Sequence, residues 1–106
     1  MRQTTERRAK SRDPINLRVR FRTLEVNGVV TGHGETVDFS SHGILVAAPL
    51  SQKLSLGSRL ETVVEWPIRL HGKTSLELVT IGTVVRSSVD GFAVFFAKHK
   101  FRPLDA

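Results

Sequence analysis

From Ile15 onward, apolar and polar residues alternate in short runs with a period of two. Ile15, Leu17, Val19 and Phe21 alternate with Asn16, Arg18, Arg20 and Arg22, the pattern of a strand with one buried face. Residues 35–39 form a second such run, and residues 43–48 (Gly-Ile-Leu-Val-Ala-Ala) read as a buried strand. Leu60, Thr62, Val64 and Trp66 carry the alternation through residues 59–66, where Pro67 interrupts it before residues 68–70 resume. Residues 76–86 form a long β-rich run with Gly82 as a bulge or bend, and residues 92–96 are densely apolar. Turn chemistry separates these runs. Asn27-Gly28, His71-Gly72 and Asp90-Gly91 are hairpin signals, because such residues tolerate positive φ. Gly28, Gly32 and Gly34 read as a flexible hairpin. No stretch carries a helical period, apart from a short terminal turn expected before Pro103.

Short strands, glycine-based turns and no long helix predict an all-β fold, a small six-stranded antiparallel β-barrel. A sandwich of the same strands is the alternative, but closure better removes exposed edges in so small a domain. Residues 15–97 make the barrel, residues 1–14 a flexible basic arm and residues 98–106 a C-terminal tail. Phe21, Val46, Val64, Val84 and Val94 are expected inside, and Trp66 with the six phenylalanines is expected to fill the core.

At 106 residues the chain is one domain of common size. It has no cysteine, which removes disulfides, thiolate metal sites and cysteine nucleophiles and fits a reducing compartment. No apolar run is long enough to span a bilayer, and the polar start lacks the apolar stretch of a secretory signal. The expected location is the cytoplasm.

Charge changes the picture more. The formal net charge is +6, and residues 1–22 hold all of it, with eight basic residues against two acidic ones. Residues 23–106 carry eight of each. A cationic block at one end of a balanced domain implies an anionic partner. Within it, Arg7-Arg8-Ala9-Lys10-Ser11-Arg12 supplies planar guanidinium groups, which pair bidentately with phosphate and with the O6/N7 edge of guanine. A second segment, Asp38-Phe39-Ser40-Ser41-His42-Gly43, offers a carboxylate for the N1–H and N2–H₂ edge of guanine, a hydroxyl, and a glycine that allows a tight turn. Asp, Ser and Gly are also ordinary turn residues, and a turn is the simpler reading of the segment by itself.

Arg8-x-x-x-Arg12, followed about 25 residues later by Asp38-x-Ser40-x-x-Gly43, resembles the PilZ domain. Residues 82–86 and 91–96 are similar to that family's last hairpin. The resemblance implies a six-stranded antiparallel barrel that binds the bacterial second messenger cyclic diguanylate (c-di-GMP). It implies that Arg8 and Arg12 contact phosphates and guanines as the arm wraps the ligand. Asp38 and Ser40 would bind a guanine edge, with Gly43 keeping the turn tight. Arg7, just before the motif, resembles members that take an intercalated ligand dimer. The short C-terminus departs from larger members, which continue into a helix. A downstream protein partner, unidentified by any motif, is expected, with no cofactor and no membrane insertion.

Other constellations are weaker. His33, His42, His71 and His99 lack metal-ligand spacing. The glycine-rich stretch lacks the Lys-Ser/Thr of a phosphate loop. Ser40, Ser41 and His42 have no nucleophile elbow, so the sequence points away from an enzyme. Two readings compete with a c-di-GMP receptor. One is a basic barrel binding single-stranded nucleic acid, which predicts exposed stacking aromatics. The other is a ligand-free PilZ adaptor that binds protein alone.

Overall fold

The computed structural model describes residues 16–25, 29–50 and 53–104. They form six strands: β1 (Arg18–Thr23), β2 (Thr31–Phe39), β3 (Gly43–Ala47), β4 (Arg59–Leu70), β5 (Thr74–Ser88) and β6 (Gly91–Pro103). All pairings are antiparallel, and the order β1-β2-β3-β6-β5-β4 closes into a barrel where β4 meets β1. The barrel is therefore two three-stranded meanders, β1–β3 and β4–β6, joined along the β3/β6 and β1/β4 seams.

Alternation assigns the two faces. Val19, Phe21, Val46, Leu60, Val64, Leu78, Val84, Phe92, Val94 and Phe96 are buried in one cluster, which includes all five residues expected inside. Phe21 and Phe92 meet edge-to-face at 4.8 Å, a favourable geometry for rings. Thr62 and Thr80, both fully buried, satisfy each other by a hydroxyl–hydroxyl hydrogen bond across β4 and β5, which removes the cost of leaving either unpaired.

Several expectations change. Gly32 and Gly34 are not in a flexible hairpin but within β2, where lack of a side chain is a packing requirement. A Cβ on Gly32 would lie 2.6 Å from the Phe21 ring, and one on Gly34 would strike the Ala47 carbonyl oxygen. The Asn27-Gly28 hairpin signal lies outside the described residues. Strand β4 continues past Pro67 to Leu70. Its partner β1 reaches only Val64 on that side, so the missing N–H of Pro67 breaks no ladder there, although the β5 register slips between Trp66 and Leu70. Gly82 sits at a register shift, as its reading as a bulge expected.

The segment read as a tail is mostly strand. β6 runs on through Pro103 because β5 supplies a partner for each turn of the pleat, from Ile81↔Lys98 to Leu76↔Pro103. The aromatic residues divide as well. Phe21, Phe92 and Phe96 are buried, and Phe39 and Trp66 are partly buried against the core. Phe95 and Phe101 are exposed at 53% and 47%. Phe95 alternates with inward Val94 and Phe96, and Phe101 lies where β6 has left the closed section.

On the outer wall, Glu77 of β5 is buried between two arginines. Arg102 donates to its Oε1 from Nη2 at 2.7 Å and from Nε at 3.2 Å, and Arg20 Nη2 lies 3.0 Å from Oε2. Burial pushes this carboxyl's pKa upward, but the hydrogen bonds and charges of Arg102 and Arg20 outweigh it, and the net shift is downward.

Candidate functional site

Asp38, Ser40 and Gly43 come together on the outer wall where β2 turns into β3. A β-bulge between Thr36 and Asp38 shifts the register, so that Thr36 pairs with Val46 and Asp38 with Leu45. Thr36 points into the core while Asp38 is half-buried on the outside. Such a bulge re-aims the side chains that follow it. Ser41 and His42 form the bend, closed by the Ser40 N–H donating to the Gly43 carbonyl at 2.9 Å.

Gly43 does not act as expected. It is the first residue of β3, and it is not among the positive-φ glycines, Gly57 and Gly72. A Cβ there would meet the Val94 carbonyl oxygen at 3.4 Å and Ser40 Oγ at 3.6 Å, which is ordinary contact. The turn therefore does not require glycine; what its hydrogen does is leave the outer surface bare.

That surface forms part of a cavity of about 330 Å³ lined by Asp38, Ser40, His42, Gly43, Arg86 and Phe95, together with Leu45, Val85 and Ala93. Four strands, β2, β3, β5 and β6, contribute. Gly43 pairs with Phe95 across the β3/β6 seam, and Ala93 pairs with Arg86 across a second β5/β6 register shift. The His42 imidazole lies nearly parallel to the Phe95 ring, 17° apart with centroids at 6.2 Å. The cavity thus combines a carboxylate, a hydroxyl, a guanidinium, a flat ring wall and aliphatic side chains. These groups suit a planar, polar-edged, anionic ligand.

Arg86, His42 and Phe95 are members that the motifs did not assign. Arg86 falls in the segment that resembles the family's last hairpin, with no role of its own, and only the β5/β6 register brings it to the cavity that Asp38 lines. Phe95 was read as core. Its outward position follows from strict alternation with Val94.

The first described residues of the chain are tied to Thr36 of β2. Leu17 N–H donates to Thr36 Oγ1 at 2.9 Å, Thr36 N–H to the Leu17 carbonyl at 2.8 Å, and Asn16 Nδ2 to the Thr36 carbonyl at 2.8 Å. Thr36 is two residues from Asp38. Arg7, Arg8 and Arg12 lie outside the described residues.

The Ser41 hydroxyl does reach the imidazole, with Oγ 3.0 Å from His42 Nδ1. Both residues are exposed, and no carboxylate orients the imidazole among the described hydrogen bonds. No group of three or more His, Cys, Asp or Glu is placed to hold a metal ion among the described residues. No helix among them is long and apolar enough to cross a membrane.

A closed six-stranded antiparallel barrel with a polar, ring-walled cavity on its outer face defines a small binding domain. The PilZ domain family model matches residues 6–102, nearly the whole chain, and the protein belongs to that family. The match covers Arg7, Arg8, Arg12 and the Asp38–Gly43 segment alike. No curated protein matches the chain.

Proposed function

We infer that this protein is a non-catalytic c-di-GMP receptor of the bacterial cytoplasm, with the ligand held between the basic arm and the Asp38–Gly43 cavity. The observation that carries this is the anchoring of Asn16 and Leu17 to Thr36. It places the first described residues, from which the arm would extend, against Thr36, two residues from Asp38. Arg12 is four residues from Asn16 and Arg8 eight, reaches of up to roughly 14 and 28 Å for extended chain. Both can cover the cavity.

In this reading Asp38 accepts from a guanine N1–H and N2–H₂, and Ser40 hydrogen-bonds the same base. The bare Gly43 surface receives the purine plane. Arg8 and Arg12 pair with the phosphates and with the guanine Hoogsteen edges, and Arg86 adds a cation from the barrel side. Arg7 provides a further planar cation, suited to a second, intercalated ligand molecule. Binding orders the arm across the barrel and presents a new surface to a protein partner, a disorder-to-order switch.

Exposed Phe95 favours one competing reading, since a barrel that binds single-stranded nucleic acid needs such a ring for base stacking. Calorimetric titration with c-di-GMP, GMP and a single-stranded oligonucleotide separates the two. The expected result is c-di-GMP binding, two molecules per chain, with GMP and the oligonucleotide much weaker. Each charge-assisted contact contributes about 1.5–3 kcal/mol, so Arg8→Ala or Arg12→Ala lowers affinity about tenfold or more. Unchanged affinity in both variants, or preference for the oligonucleotide, would overturn the assignment.

A further inference from the structure

The second half of β6 is an open edge. Strand β3 pairs with β6 only over Gly91–Phe95, and a last hydrogen bond from the Phe96 N–H to the His42 carbonyl ends the seam. Beyond it, β5 continues to pair one side of β6 as far as Pro103. Among the described residues no strand pairs with the other side, and every residue from Ala97 to Pro103 is exposed. In a strand the N–H and C=O groups point alternately to either side, so this edge presents a row of unused backbone donors and acceptors.

The side chains along it are sorted by face. Lys98, Lys100 and Arg102 share the outer face, opposite Ile81, Val79 and Glu77. Arg102 is engaged by Glu77, whereas Lys98 and Lys100 form no ion pair among the described residues. Beside them, across β4, β5 and β6, is a depression of about 500 Å³ lined by Arg59, Val79, Ile81, Ala97, Lys98, His99 and Lys100, with no carboxylate among these residues. On the opposite face, His99 and Phe101 flank each other at 6.4 Å, and Phe101 packs edge-on against Trp66 at 5.1 Å.

We propose that this edge, Ala97 to Pro103, receives an extended segment of a partner protein in which acidic and apolar residues alternate. The segment adds a strand next to β6. Its backbone satisfies the unused groups, its carboxylates lie along Lys98 and Lys100, and its apolar side chains rest beside His99 and Phe101. Backbone pairing gives such a complex its affinity, and the alternate side chains give it specificity. Charge excludes two other occupants. The chain's own residues 1–14 carry five basic side chains and little that is apolar. A second copy paired edge to edge would set lysine against lysine, which is unfavourable in cross-strand pairs. A nucleic acid would satisfy the cations but leave the backbone row unmatched.

This docking does not require the nucleotide site, and one experiment keeps them apart. The full chain, labelled with ¹⁵N, is titrated with a capped octapeptide alternating Glu and Val. Parallel titrations use its Gln-Val counterpart, a version N-methylated at alternate valines, and a dT8 oligonucleotide. Shifts and slowed solvent exchange are expected at amides 98–102 with the Glu-Val peptide. At least tenfold weaker binding is expected for the Gln-Val peptide, for the N-methylated peptide and in a Lys98→Glu/Lys100→Glu variant. That variant should keep the wild-type amide positions outside residues 96–102, showing that its fold is intact whether or not c-di-GMP binds. The proposal is overturned if amides 98–102 do not respond at millimolar peptide. It is also overturned if the variant or the N-methylated peptide binds equally well, if dT8 binds more tightly at the same amides, or if the edge proves to be a contact between copies.

Discussion

Gly43 shows how little a residue type says until its neighbours are known. As a turn glycine it would be there for its backbone, but the chain around it takes ordinary strand angles, and a methyl group fits against Val94 and Ser40. Gly43→Ala therefore separates fold from binding. Thermal unfolding should shift by no more than the roughly 0.5 kcal/mol of a surface substitution, while c-di-GMP affinity measured by calorimetry should fall about tenfold as the methyl lifts the purine from that surface. A large loss of stability with binding retained would return Gly43 to a purely structural role. Asp38, Ser40 and Gly43 were legible because they are close in sequence. Arg86 and Phe95 were not, because only β-sheet register carries them to the same cavity.

At the scale of elements, a period of two is written directly in residues such as 17–22 and 60–66, while β3 and the first half of β6 are marked by dense apolar runs. Neither pattern gives the lengths of the strands. Lys98-His99-Lys100-Phe101-Arg102 has no apolar face to mark it as strand, and it is one because β5 continues opposite it. Glu77 was also invisible. In the sequence it is one polar residue among apolar ones, yet it ties β1 and β6 to β5 through Arg20 and Arg102. Its pKa is lowered from 4.5 in the fold, so the folded state binds the proton less readily than the unfolded chain. The clamp therefore stabilises fully above about pH 5, and its contribution is lost as the pH falls below 4.5 and through the lowered value. Urea unfolding at about pH 6 and pH 3 should show a larger loss for the wild type than for Glu77→Gln, which has no charge to lose there. Equal losses would mean that the clamp contributes no pH-dependent stability.

For the whole molecule, the proposed receptor would close by ordering its basic arm on the ligand, starting from the anchor at Asn16 and Leu17. Hydrogen exchange measures this directly. Amides of residues 7–13 should exchange freely without ligand and become protected with c-di-GMP, while the barrel amides change little. Fixing eight residues costs about 8–16 kcal/mol of backbone entropy, so only a ligand that makes several charged contacts together can hold the arm. Equal protection in both states would rule out the switch and leave binding itself untouched.

The two meanders have a consequence for how the chain comes to its shape at all. Each alone would be a three-stranded ribbon with both long borders raw and half a core facing water, and ribbons that small are marginal in isolation. What completes either one is the other, along seams whose strands are distant in sequence: Val19 with Val64, and Val46 with Phe92. The covalent link between them, through residues 48–58, serves mainly to raise the concentration of one half near the other. A polypeptide cut between Gln52 and Lys53 should thus give two pieces that are separately unfolded by circular dichroism. Mixed at equal concentration, they should regain the β spectrum and a single unfolding transition, with a midpoint that rises with concentration. In that sense the barrel is a dimer of unlike halves that happens to be written on one chain.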